Sequence, residues 1–148
     1  MNNYCLACKL NKEPSGAIGG TIKDYNSWVL QHIIEPIPVK GWLILKTKRH
    51  VDGIIGLNKE ESKELGVILN TLPKIQKEMC RADQIYICCF TESVSHMHFH
   101  LIPRYPEEVR KGPKIFDILR EVNEGKSMPI DAQEVIKLIE DLKIELGR

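Results

Sequence analysis

Three histidines alternate with three large apolar residues in Ser95-His96-Met97-His98-Phe99-His100-Leu101. Imidazoles can ligate a metal, donate hydrogen bonds to a phosphate, or attack phosphorus as nucleophiles. On an extended strand, side chains at i, i+2 and i+4 share a face. His96, His98 and His100 therefore point one way, and Met97, Phe99 and Leu101 point the other way into a core. At about 3.3 Å per residue, the outer two Cα atoms lie roughly 13 Å apart. One ion with bonds of about 2.0–2.1 Å to nitrogen cannot collect all three rings. At most one or two of them serve a metal, and the others have different work.

The chain has five cysteines, an odd number, with Cys88 and Cys89 adjacent. That is a poor disulfide framework, and Cys80, Cys88 and Cys89 read as small buried apolar residues. Cys5 and Cys8 form a Cys-x-x-Cys, open to a metal, a redox or a free-thiol reading. No βαβ context accompanies the pair, which weighs against redox use. Adding His50, at the end of the run Lys46–His50, and His96 gives Cys₂His₂, a tetrahedral donor set that suits zinc and leaves no open position. Such an ion would be structural, pinning the N-terminal segment and the Arg49-His50 loop to the end of the histidine strand.

The elements that must position these groups follow from periodicity and breakers. Residues 9–26 carry Pro14, Ser15, Gly16, Gly19 and Gly20 and read as a loop. Ser27–Ile34 and Trp42–Thr47 read as an antiparallel pair of strands, separated by Pro36, Pro38 and Gly41. Asn58 with Glu61 three residues on predicts a capping box. Leu65, Ile68, Leu69, Leu72, Ile75 and Met79 then form the stripe of an amphipathic helix, which Pro73 should kink or bring to its last turns. Gln84–Phe90 and His96–Pro103 read as strands, and Lys114–Val122 as a short helix. Asp131–Leu146 is a second long amphipathic helix, with Val135, Leu138, Ile139 and Leu142 on one face. The order defines an α+β class: a mostly antiparallel sheet, a long helix after the second strand, and additional C-terminal helices. Trp28 and Trp42 read as core residues, with stacking on a base as their alternative use.

At 148 residues the chain is one domain long, and 21 Lys+Arg stand against 20 Asp+Glu. That balance supplies no excess positive charge for nucleic acid. The apolar runs are far short of a bilayer span, and the start Met1-Asn2-Asn3-Tyr4 does not read as a secretory signal. A cytoplasmic protein without a nucleic-acid or membrane partner is the expectation.

The run His96-Met97-His98-Phe99-His100-Leu101-Ile102, followed by Pro103-Arg104, resembles the histidine-triad (HIT) motif. Gly41–Val51 is similar to that family's strand ending in a basic residue and His-Val, and Leu57–Glu61 to the start of its helix. The resemblance spans roughly Cys5 to Tyr105. It implies a single HIT-like domain over 1–148 with a core at 1–105; the C-terminal helical extension at 106–148 lies outside the resemblance, and its helix Asp131–Leu146 reads as packing or dimer cover. It also implies a homodimer that binds nucleotides and cleaves at the α-phosphate through a nucleotidyl-histidine intermediate, releasing a nucleoside monophosphate. The leaving group would be another nucleotide, an amine, an acyl group or a sugar phosphate.

By position His98 would be the nucleophile, His100 the phosphate ligand, and His96 a ligand of zinc with Cys5, Cys8 and His50. Two departures stand out. The family's Gly-Gln before the triad is replaced by Thr91-Glu92, a carboxylate close to where phosphate would bind. Ser93 sits where the family often has a phosphate-touching hydroxyl, so Ser93 and Glu92 join His100 as expected substrate contacts. The acidic residue that holds the ribose has no clean equivalent; Glu35 and His32 lie nearby in sequence and read as surface or core. A mononucleotide sensor and a nucleotidyltransferase or phosphorylase are the alternatives to a hydrolase.

Overall fold

The computed structural model of the chain describes residues 4–148. Five strands form one antiparallel sheet in the order β1-β2-β3-β5-β4. They are β1 (Thr21–Asp24), β2 (Trp28–His32), β3 (Leu43–Thr47), β4 (Gln84–Cys88) and β5 (His98–Arg104). Four helices accompany them: α1 (Leu6–Lys12), α2 (Lys59–Cys80), α3 (Phe116–Asn123) and α4 (Ala132–Leu146). The architecture is α+β, and the long helix follows the Leu43–Thr47 strand as the sequence predicts.

Alternation divides the sheet into two faces. Trp28, Leu30, Leu43, Leu45 and Leu101 are fully buried on one of them, each worth about 1.5–3 kcal/mol of burial. On that face lies α2, whose Glu61 carbonyl accepts the Trp28 indole N–H at 3.0 Å. Helix α4 packs on α2 and β1. The other face carries Gln31, Ile44, Lys46, His98 and His100, and α1 lies over it. Two bonds hold α1 there: Gln31 Nε2 donates to the Leu10 carbonyl at 3.1 Å, and Asn11 Nδ2 to the Thr47 carbonyl at 3.0 Å.

The predicted capping box is present: Asn58 Oδ1 accepts from Glu61 N–H at 2.8 Å, and Glu61 Oε2 accepts from Asn58 N–H at 2.9 Å. Glu61 also binds Arg49 through both carboxylate oxygens, at 2.9 and 3.0 Å. This pairing and the cap hold its carboxyl below the usual range. The segment carrying His50 is thereby tied to the start of α2.

Two expectations need correction, the loop over residues 9–26 and the place of His96. Residues 9–26 are not all loop: α1 runs through Cys8 to Lys12, and β1 is an edge strand. Helix α1 is capped by the Cys5 thiol accepting from Cys8 N–H at 3.4 Å, a cap outside the usual Ser/Thr/Asp/Asn set. Pro73 falls in the last turns of α2, one of the two outcomes expected of it, and burial of Leu72 and Gln76 on either side carries the helix to Cys80. His96 lies just before β5, in an isolated bridge with Asp52, rather than inside the strand. Among the described residues, no helix is long and apolar enough to cross a membrane.

Candidate functional site

Cys5, Cys8, His50 and His96 converge, with all four donor atoms within 4.8 Å of one another. His96 Nδ1 lies 3.5 Å from Cys5 Sγ and 3.4 Å from Cys8 Sγ. His50 Nδ1 lies 3.3 Å from Cys8 Sγ and 3.2 Å from His96 Nδ1. A tetrahedral ion with bonds of about 2.3 Å to sulfur and 2.0–2.1 Å to nitrogen has edges of roughly 3.5 Å (S···N) and 3.3 Å (N···N). The donor set therefore fits such an ion in both chemistry and spacing.

The outer contacts support the same use. His96 Nε2 donates to the Thr47 carbonyl at 2.8 Å, which leaves Nδ1 with its lone pair turned to the cluster. His50 Nε2 faces Asp52 Oδ1 at 3.4 Å, and Asp52 in turn accepts from Ser95 Oγ at 2.8 Å. Burial favours neutral His96, the state a ligand requires.

One residue beyond Met97 the chemistry changes. His98 Nδ1 lies 2.8 Å from the His96 carbonyl. A carbonyl only accepts, so Nδ1 carries the proton and Nε2 keeps a free lone pair. His100 is enclosed by aromatic rings: Trp42, Phe116 and His98, with centroids at 5.7, 5.5 and 5.1 Å. Burial among them pushes its pKa down to about 4, with the His98 charge as a smaller contribution. The Trp42 indole N–H donates to His100 Nδ1 at 3.0 Å.

These two histidines border a cavity of about 150 Å³ between α1 and the sheet. Leu6, Ala7, Leu10, Ile33, Ile44 and Val94 make it mostly apolar. Its other polar residues are His32, Lys46 and Gln31, and the Lys46 ammonium donates to Gln31 Oε1. Lys46 is almost wholly buried, and desolvation lowers its pKa to about 8.

The structure thus brings together His98 and His100 at the cavity, and Cys5, Cys8, His50 and His96 beside it. It does not bring Ser93 and Glu92 there: both are exposed on the loop before His96, and neither lines the cavity. His32 is a core residue, with Nδ1 bonded to the Ile33 carbonyl at 2.9 Å and Nε2 accepting from Gly41 N–H at 2.9 Å. Glu35 is exposed. Trp42 is fully buried, so it is not a free stacking surface. Its bond to His100, and the buried Lys46–Gln31 pair, were not legible in the sequence. The β3–β5 register, which pairs Ile44 with His100, puts Trp42 on the histidine face, and no sequence pattern states that register.

No protein-family model matches the sequence, and comparison with curated proteins finds no match. The fold does have solved counterparts. A zinc-bound histidine-triad family protein from Mycobacterium smegmatis superposes with a TM-score of 0.72 at 16% identity, covering 97% of this chain and 96% of that one. A Hit-like protein involved in cell-cycle regulation from Bartonella henselae gives 0.70 at 14%, with the same coverage of 97% and 96%. A histidine-triad protein from Bradyrhizobium japonicum gives 0.66 at 21%, covering 90% and 92%. The chain has the histidine-triad fold. It carries that fold together with the alternating His96, His98 and His100 and a Cys/His cluster able to hold a metal ion.

Proposed function

We propose that this protein is a nucleotide hydrolase that works through a nucleotidyl-histidine intermediate, with His98 as nucleophile. The observation that carries the reading is the bond from His98 Nδ1 to the His96 carbonyl, at 2.8 Å. It leaves Nε2 of the neutral ring unprotonated beside the cavity. The apolar part of that cavity, beneath α1, takes the nucleoside, and the α-phosphate lies over His98 and His100. His98 Nε2 attacks phosphorus and the bond to the leaving group breaks. His100 donates to a phosphoryl oxygen, stabilising charge as it develops. Water then attacks from the side the leaving group vacated, the P–N bond breaks with its electron pair returning to Nε2, and a nucleoside monophosphate departs.

Cys5, Cys8, His50 and His96 hold zinc in this reading, and the ion supplies a structural tie and no chemical step. Ser93 and Glu92 take part only as residues of the loop flanking the phosphate. The active species is a homodimer, which light scattering of the purified protein tests.

The functional test is turnover of α-labelled dinucleoside polyphosphates, a nucleoside phosphoramidate and a nucleotide sugar by wild type and His98→Ala. Label trapped on wild-type protein and absent from His98→Ala is the expected result. Micromolar monophosphate binding with no turnover of any substrate would replace this reading with a nucleotide sensor. Turnover that needs phosphate or a sugar phosphate as acceptor would make the protein a transferase.

A further inference from the structure

We infer that Trp42 fixes His100 as a neutral, single-proton donor, so that the site takes nucleotides whose leaving group departs as a stable anion and not as an amine. This rests on the hydrolase reading above and deepens it to a substrate class.

An indole N–H can only donate. At 3.0 Å from His100 Nδ1 it requires a lone pair on that nitrogen, so the ring proton sits on Nε2. Protonating His100 would set two N–H groups against each other. Trp42 cannot easily turn away: it is fully buried, its ring meets Phe116 edge-on with centroids 5.3 Å apart, and its carbonyl accepts from Ile33 N–H at 2.9 Å. The neighbouring histidines therefore carry opposite tautomers. His98 presents a lone pair at Nε2, held by a backbone acceptor; His100 presents an N–H at Nε2, held by an indole donor. Burial acts in the same direction on His100.

The consequence lies in the leaving group. When His98 Nε2 forms the N–P bond, the electron pair of the breaking bond must go somewhere. A phosphate, a polyphosphate, a sugar phosphate or a carboxylate takes it as an oxyanion and needs no proton. An alkyl amine must be protonated on nitrogen before the P–N bond breaks, which is work for a general acid.

No such acid is built at this site. His100 is barred from the imidazolium form. Lys46 pairs with His98 in register and lines the same cavity, but its ammonium is engaged by Gln31 Oε1 of β2, on the side of β3 away from β5. His32 also lines the cavity, but its Nδ1–H is held by the Ile33 carbonyl and its Nε2 accepts from Gly41 N–H, so it has no proton to give. Cys88 pairs with His100 in register, and burial makes its thiol a still weaker acid. Glu92 is exposed and outside the cavity.

The experiment pairs ¹⁵N NMR of the histidines with the kinetics of a dinucleoside triphosphate and a primary-alkylamine nucleoside phosphoramidate. In wild type the expected results are His100 protonated on Nε2 and neutral at pH 6, and an anhydride turned over at least about 10²-fold faster than the amidate. Trp42→Phe keeps a ring but removes the donor; it should mix the His100 tautomers and raise the amidate-to-anhydride ratio. His100 protonated on Nδ1 in wild type, or equal turnover of the two substrates, overturns the inference. No turnover of either overturns the hydrolase reading and this inference together. Should Trp42→Phe not fold, the wild-type tautomer and rate ratio decide alone.

Discussion

The Asp52 carboxylate reaches the metal cluster through His50 and the Thr47 carbonyl through His96, and each sets the direction of a ring. The Thr47 contact is made mainly by its carbonyl, at 2.8 Å, with Oγ1 at 3.1 Å as a second partner. Thr47→Val should therefore leave the cluster nearly intact. Asp52→Asn removes a charge that faces His50 and accepts from Ser95, and it should weaken zinc binding about tenfold. Competition with a chromophoric chelator measures both. At this scale the sequence was readable where chemistry is local: the alternation of His96 to Leu101 and the two cysteines announce themselves by spacing. The bond from Trp42 to His100 joins residues 58 apart in the chain and depends on a register that no spacing encodes.

Between β2 and β3 the chain makes a turn whose geometry rests on Gly41. Its φ is +86°, and a Cβ added there would lie 2.7 Å from Cys80 Sγ. Both its backbone groups are used, the N–H by His32 and the carbonyl by Gln76 Nε2 at 2.9 Å. Gly41→Ala combines a left-handed conformation with overpacking and should lower stability by at least about 2 kcal/mol in urea unfolding. Because Trp42 is the next residue, His100 should lose its fixed tautomer in the same variant. Elements with strong periodicity or a conventional cap were legible, α2 and α4 most of all. Helix α1 was not, because its cap is a thiol, and neither was β1, a four-residue edge strand whose burial pattern contains one buried residue, Ile22. Pro73 falls in the last turns of α2, and the packing of the buried face carries the helix past it to Cys80.

The molecule as a whole should lose stability in mild acid, in part through His32. Burial lowers its pKa from about 6.5 to about 4, against a small opposing effect of the Ile33 carbonyl. Unfolded chains then bind a proton that the folded protein refuses between those two values. Stability is complete above about pH 6.5, falls as the pH drops toward 4, and levels off below that. The loss is on the order of 3 kcal/mol at most. Urea midpoints at pH 7 and pH 4.5 should differ less in His32→Asn than in wild type. Metal release in acid acts on both proteins alike, so the difference between them isolates the buried ring. At pH 7, removing the zinc proposed for the Cys/His cluster with a chelator should lower the midpoint as well, because four side chains from three separate segments would lose their common partner.

The cluster's reach along the chain also sets an order of events during synthesis. Cys5 meets a partner 91 positions later, so all of that intervening chain must leave the ribosome before His96 can join it. Until then the Cys5 and Cys8 thiols have only each other and, once it has emerged, His50, and any metal or oxidant in the surrounding fluid can take them first. Correct maturation is thus a race between elongation and capture, and slowing translation between His50 and His96 should lengthen the interval in which that race can be lost.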